Sequence, residues 1–296
     1  MAFWNRSDPH TASSQQNLER GGLPLLAERR IKAETEDPKR RFTSDLSVNE
    51  LMLTHDTGYL PVSQVMGSSI YHVGWQYKPL YASSELSVVT QAYSHARLLA
   101  LSRLQKEAKM LGAHGVIGVR IMRNAYDWAK DLIEFAVLGT AIRLPSSAQP
   151  ERPFLSDLSG QEFWSLHKAG FRPAGIVFGN CVWYQVSTYA TQAALAPSVM
   201  GIFSTSFYNQ ELPDFTKAVY HARRQAMSRM EGECVTFGGE GVVGVQVSTK
   251  ITEKEVDVND NKRTDLIVNF EAFGTAIARY EHGLVPIIDY AVSLHP

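Results

Sequence analysis

Along this chain the spacing of apolar residues switches from alternation to the helical three-and-four rhythm and back, and it does so twice in the same order. In the first pass, Ser47-x-x-Glu50 stands ahead of Leu51-Met52-Leu53. This is a capping box, in which the serine hydroxyl accepts from a free helix N–H and the glutamate accepts from the serine N–H, so it predicts a short helix ending near Gly58. Residues 59–66 and 68–77 read as two extended segments hinged at Gly67, the second rich in β-branched and aromatic side chains. From Ser84 to Leu111 the period is helical. Val89, Ala92, Tyr93, Ala96, Leu99, Ala100, Leu104, Ala108 and Leu111 form one stripe, and Arg97, Arg103, Lys106 and Lys109 lie largely away from it. Gly112 stands where a helix stops. Gly115–Met122 predicts a buried strand whose glycines let another backbone approach. A hairpin-like excursion over Asn124–Lys130 leads into a strand from Leu132 to Leu144.

The second pass follows the same plan. Ser159-x-x-Glu162 caps a short helix, 171–178 and 180–189 are extended, and an inserted loop runs from about Thr191 to Asn209. A helix is predicted over about 214–231, then strands at 241–249 and 266–279 around a charged loop at 252–263. The residues themselves recur. Ser44-Asp45-Leu46-Ser47 returns as Ser156-Asp157-Leu158-Ser159, and His95-Ala96-Arg97 as His221-Ala222-Arg223. Gly115-Val116-Ile117-Gly118-Val119 returns as Gly241-Val242-Val243-Gly244-Val245, and Gly139-Thr140-Ala141-Ile142 as Gly274-Thr275-Ala276-Ile277. The offset moves from 112 to 126 to 135, so the chain is a tandem duplication with insertions in the second copy. The predicted organisation is a disordered polar tail at 1–41 closing on Lys39-Arg40-Arg41, unit 1 at 42–144, a linker at 145–153, unit 2 at 154–280 and a tail at 281–296 without counterpart.

Composition narrows the function classes. Net charge is −1 over 296 residues, without the concentrated basic face that nucleic-acid binding needs. Cys181 and Cys234 are too few for a disulfide framework and form no metal-binding pair. With no apolar run long enough for a signal peptide or a membrane span, the expectation is a cytoplasmic protein.

The long helix followed by Leu111-Gly112-Ala113, Gly-Val-Ile-Gly-Val-Arg at 115–120 and Gly-Thr-Ala-Ile-Arg at 139–143 resembles the YbjQ family, described as heavy-metal-binding proteins. The resemblance implies an α+β fold: two tandem two-layer, dodecin-like units, each a long amphipathic helix on an antiparallel sheet. It also implies self-association into a closed ring, a pentamer being the usual size, and a divalent transition metal as the candidate cofactor.

Metal binding needs several His, Cys or carboxylate groups converging on one ion. The recurrent histidines, His55 with His167 and His95 with His221, are the candidate ligands, with His72, His114, Cys181 and Cys234 as further potential donors. None of the four recurrent histidines has a partner one helical turn away. Catalytic signatures are missing: there is no G-x-S-x-G, P-loop, H-E-x-x-H or dinucleotide-binding glycine pattern, and Gly238-Gly239-Glu240-Gly241 precedes a strand and reads as a turn. Asp127 and Asp131 read as surface charge. The aromatic set Tyr71, Trp75, Tyr77, Trp183, Tyr184 and Tyr189 is large for a small two-layer unit, so part of it is expected to meet a neighbouring subunit, while core packing is the expectation for any single one. The expected function is a non-enzymatic, ring-forming homo-oligomer. The alternatives are a metal-binding or metal-responsive module and, more weakly, a small-molecule binder at subunit clefts.

Overall fold

The polar N-terminal segment, expected to be a disordered tail, folds back as two helices, α1 (Pro9–Glu19) and α2 (Leu25–Glu36). Few apolar residues are needed because Leu23 and Ile31 are both buried in the core of unit 1. The computed structural model describes residues 9–37, 39, 41–74, 76, 81–126, 129–195, 209–258 and 261–280. Trp75, Tyr77, Asp127, most of the inserted loop and the C-terminal tail lie outside them.

Unit 1 continues with α3 (Val48–Asp56), β1 (Leu60–His72), β2 (Ser84–Glu85), α4 (Ser87–Met110), β3 (Gly115–Tyr126) and β4 (Ala129–Arg143). Both halves of the Ser47/Glu50 capping box are made, with Glu50 N–H donating to the serine hydroxyl at 3.3 Å and Ser47 N–H to the carboxylate at 2.7 Å. The predicted hinge at Gly67 does not exist, and β1 runs straight through it. Gly67 is there because a Cβ would run into the Ala100 carbonyl of α4. The alanines of the stripe let helix and sheet close to that distance, with Ala96, Ala100 and Ala108 fully buried. Asp131, read as surface charge, stands on β4.

Unit 2 repeats the plan with β5 (Phe154–Leu155), α5 (Gly160–Lys168), β6 (Phe171–Gln185), α6 (Tyr189–Leu195), α7 (Pro213–Thr236), β7 (Gly241–Val258) and β8 (Asn261–Arg279). Gly179 meets the Ala226 carbonyl as Gly67 meets that of Ala100, so β6 is also one strand rather than two. The segment read as a charged loop at 252–263 is the far end of a long β7/β8 hairpin, paired in register to Val258 and Asn261. Its charges mislead because β7 is exposed along most of its length, so the apolar alternation that marks a half-buried strand is not required. Gly118 and Gly244, at φ of +63° and +65°, sit in the matching register shifts of β3 and β7.

The two sheets are ordered β1-β4-β3-β5 and β2-β6-β8-β7. Each therefore holds one short strand donated by the other unit: β5 of unit 2 extends the sheet of unit 1, and β2 of unit 1 extends that of unit 2. The fold is α+β, two antiparallel three-stranded sheets each covered by a long helix and stitched together by reciprocal strands.

Candidate functional site

The four recurrent histidines lie on four different helices. His55 on α3 and His95 on α4 are exposed. His167 on α5 is half-buried; its Nδ1 lies 2.8 Å from the Tyr280 hydroxyl, and burial pushes its pKa down. His221 on α7 packs on the Trp183 ring at 4.0 Å. Among the described residues no three His, Cys, Asp or Glu side chains converge as a metal site. Cys181 is buried, and burial pushes its thiol up to about 12, which makes it inert at neutral pH. Cys234 is buried with its Sγ 3.5 Å from the Gly241 carbonyl. His114 is a structural residue: Leu144 N–H donates to its Nδ1 and its Nε2 meets the Ala148 carbonyl at 3.0 Å. Of the aromatic set, Tyr184 is buried and Tyr71 and Trp183 pack against cores, whereas Tyr189 is exposed.

The structure instead gathers recurrent residues at the joint between the units. Phe154 N–H donates to the His114 carbonyl, Ser156 N–H to Val116, Val119 N–H to Ser156 and Gly118 N–H to Leu158. The Phe154 ring fills the space a Cβ on Gly115 would need. On the other side Leu86 N–H donates to the Val182 carbonyl at 2.7 Å, and Thr90 Oγ1 accepts from Val182 N–H at 3.0 Å. Glu85 takes a two-pronged ion pair from Arg229 at 2.7 and 2.8 Å. Helices α3 and α5 pack through Gly160 against Glu50 and Thr54, and Trp164 Nε1 donates to Asp56 at 2.7 Å.

Many of these partners recur as the same residue in the other unit. Arg103 repeats Arg229 and holds the Ser68 carbonyl at 2.6 Å, as Arg229 holds that of Asn180. Glu107 repeats Glu233, and the two carboxylates accept from Met66 N–H at 2.9 Å and Phe178 N–H at 2.7 Å. Glu85, Leu86, Thr90 and Arg97 repeat as Glu211, Leu212, Thr216 and Arg223, all 126 residues on. That offset was visible in the sequence, but periodicity marked Arg97 and Arg103 only as lying off the stripe. Both are buried, because the other unit and the N-terminal segment cover that side of α4.

A cavity of about 640 Å³ opens in the joint between α4, β6 and α7. Arg97, 1% exposed, lines it, with Nε and Nη1 unpartnered among the described residues and its guanidinium over the Phe178 ring. Burial pushes its pKa down to about 9, so it stays charged at neutral pH. Glu233, whose pKa burial pushes up, also lines the cavity, and Arg152 and Arg172 stand exposed at its rim.

The family profile YbjQ, described as "Putative heavy-metal-binding", matches residues 64–145 and 172–279, one segment in each unit. The chain belongs to the YbjQ family. It is also similar to "Encapsulin nanocompartment protein Rv1762c" of Mycobacterium tuberculosis, 39% identical over 232 residues that span 75% of this chain and 81% of that protein. This YbjQ chain is thus a tandem form. No helix among the described residues is long and apolar enough to cross a membrane.

Proposed function

We propose that this protein is a non-enzymatic, self-assembling homo-oligomer in which the joint between its own two units is repeated from chain to chain until a ring closes. The joint itself supports this reading. It is directional, because the strand edge used on unit 1 (β3) differs from the one used on unit 2 (β6), and such heterologous contacts propagate into rings or filaments. The strand half of a second set of partners stands ready at the chain's two ends, while the Glu211 and Arg223 half would meet the face of unit 1 that α1 and α2 cover. Phe42-Thr43 repeats Phe154-Leu155 and is followed by the same Ser-Asp-Leu-Ser, while β7, the repeat of β3, is an edge strand. Gly241 repeats Gly115, but among the described residues no atom comes within 4 Å of where its Cβ would stand. Phe42 is 49% exposed, and Val48 and Met52, which repeat Gly160 and Trp164 on α3, are 74% and 67% exposed. In a neighbouring copy these apolar side chains would meet β7 and α5. The name of the mycobacterial relative ties that protein to a nanocompartment, which fits membership of a multi-subunit assembly.

A ring built this way holds two units per chain, so five chains would supply ten. Native mass spectrometry of untagged protein tests the reading. The expected species is a multiple of the chain mass of three or more, returned to a single chain by Phe42→Asp combined with Met52→Glu at exposed positions, with circular dichroism checking that the variant is folded. A monomer at all concentrations, with or without residues 1–37, would sink it. The same spectra bear on metal: a defined mass increment per chain, removed by chelator, would transfer the function to the recurrent histidines.

A further inference from the structure

We propose that the cavity in the joint is a binding site for a small organic anion with an aromatic or aliphatic body. Its volume is in the range of about 300–1,000 Å³ typical of ligand sites. Three features set the chemistry. First, Arg97 is a fully buried cation whose Nε and Nη1 have no partner among the described residues, and buried guanidinium N–H groups left unpaired are costly. Its two nearby carboxylates do not meet that need: Glu233 accepts from the Phe178 N–H instead, and Glu271 is engaged by Arg123 and Asn269. Second, the lining is lopsided in charge: among the described residues Arg97, Arg152 and Arg172 stand against the single carboxylate of Glu233. Third, the walls between the cations are rings, those of Tyr59, Phe154, Phe178 and Phe237. A planar guanidinium presents a fork that matches a carboxylate, sulfonate or phosphate, while the rings take the body of the molecule.

The site draws on both units, with Arg97 from α4 and Arg172 and Phe237 from β6 and the end of α7, so a bound anion would hold the units together. Because it lies within one chain, it stands or falls independently of ring assembly.

The probe is 8-anilinonaphthalene-1-sulfonate, compared with its uncharged analogue N-phenyl-1-naphthylamine, followed by fluorescence titration. The sulfonate is expected to bind about one per chain and roughly tenfold more tightly than the neutral ring system. Arg97→Met should erase that preference, whereas Lys254→Met, which removes an exposed cation on the far part of the β7/β8 hairpin, should keep it. If Arg97→Met does not fold, the double rim variant Arg152→Ala/Arg172→Ala carries the test and should weaken the sulfonate alone by about threefold or more. Equal affinity for the two dyes in the wild type would overturn the proposal. So would a sulfonate preference that survives Arg97→Met, or survives the rim variant where Arg97→Met does not fold; Arg97 would then be a packed structural cation.

Discussion

Asp265 is fully buried in unit 2, yet its carboxylate is ringed by donors: Arg263, the Tyr184 hydroxyl, and both N–H and hydroxyl of Ser187. Burial by itself would raise its pKa; the surrounding donors outweigh burial and hold the carboxyl below the usual aspartate range. A carboxyl depressed in the folded state contributes stability that is present above its unfolded pKa of about 3.9 and lost as pH falls through the folded value. Asp265→Asn should therefore cost about 3–5 kcal/mol at pH 7, the range for breaking a buried pair. The gap from wild type should narrow in urea titrations run at progressively lower pH, and an unchanged gap at pH 3 would show the carboxylate charge to be irrelevant. Thr140 and Thr275 are hubs of the same kind. Each takes the Asp of the recurrent Ser-Asp-Leu motif, with Asp45 N–H donating to Thr140 at 3.3 Å and Asp157 N–H to Thr275 at 3.1 Å. The motif repeats because it anchors the entry of each unit to its central strand.

At the scale of elements, the long helices lie so close to their sheets that the sheets must present glycine under them. Gly67→Ala and Gly179→Ala should each lower stability by about 1–3 kcal/mol, the cost of overpacking. Thermal unfolding of the two variants checks this, and a substitution with no effect would mean that the helix backs away freely. The helices themselves were legible, because their stripes of alanine and leucine face one sheet. The strand breaks at Gly67 and Gly179 were misread because a glycine needed for close approach looks, in one dimension, like a glycine needed for a bend. The β7/β8 hairpin was misread for the opposite reason, since a strand exposed on both faces keeps no apolar alternation.

Over the whole molecule, the N-terminal segment takes on meaning from the duplication. In unit 2 the carboxylate of Glu85 sits on Arg229; in unit 1 the equivalent Arg103 donates to the carbonyls of Gly22 and Leu18. In unit 2 the cation facing Glu233 is Arg97; in unit 1 the equivalent Glu107 pairs with Arg30 of α2 at 2.9 Å. Helices α1 and α2 thus cover the face of unit 1 that a neighbouring chain's Glu211 and Arg223 would use. Deleting residues 1–37 should shift the protein toward larger species in light scattering. A truncated chain that assembles no further than the full one would separate the segment from assembly.

The sequence by itself determined the duplication, the family, both capping boxes, the long helices and the α+β class, because each rests on residues close in sequence or on a repeat that needs no partner. Only the tertiary structure decided that the units exchange strands, that α1 and α2 fold back onto unit 1, that the recurrent histidines stay apart, and that Arg97 is buried over a cavity. Those outcomes depend on which surfaces meet. Surface charge and spacing look the same whether a side chain faces water or another unit, and contact with that unit is what removes the water.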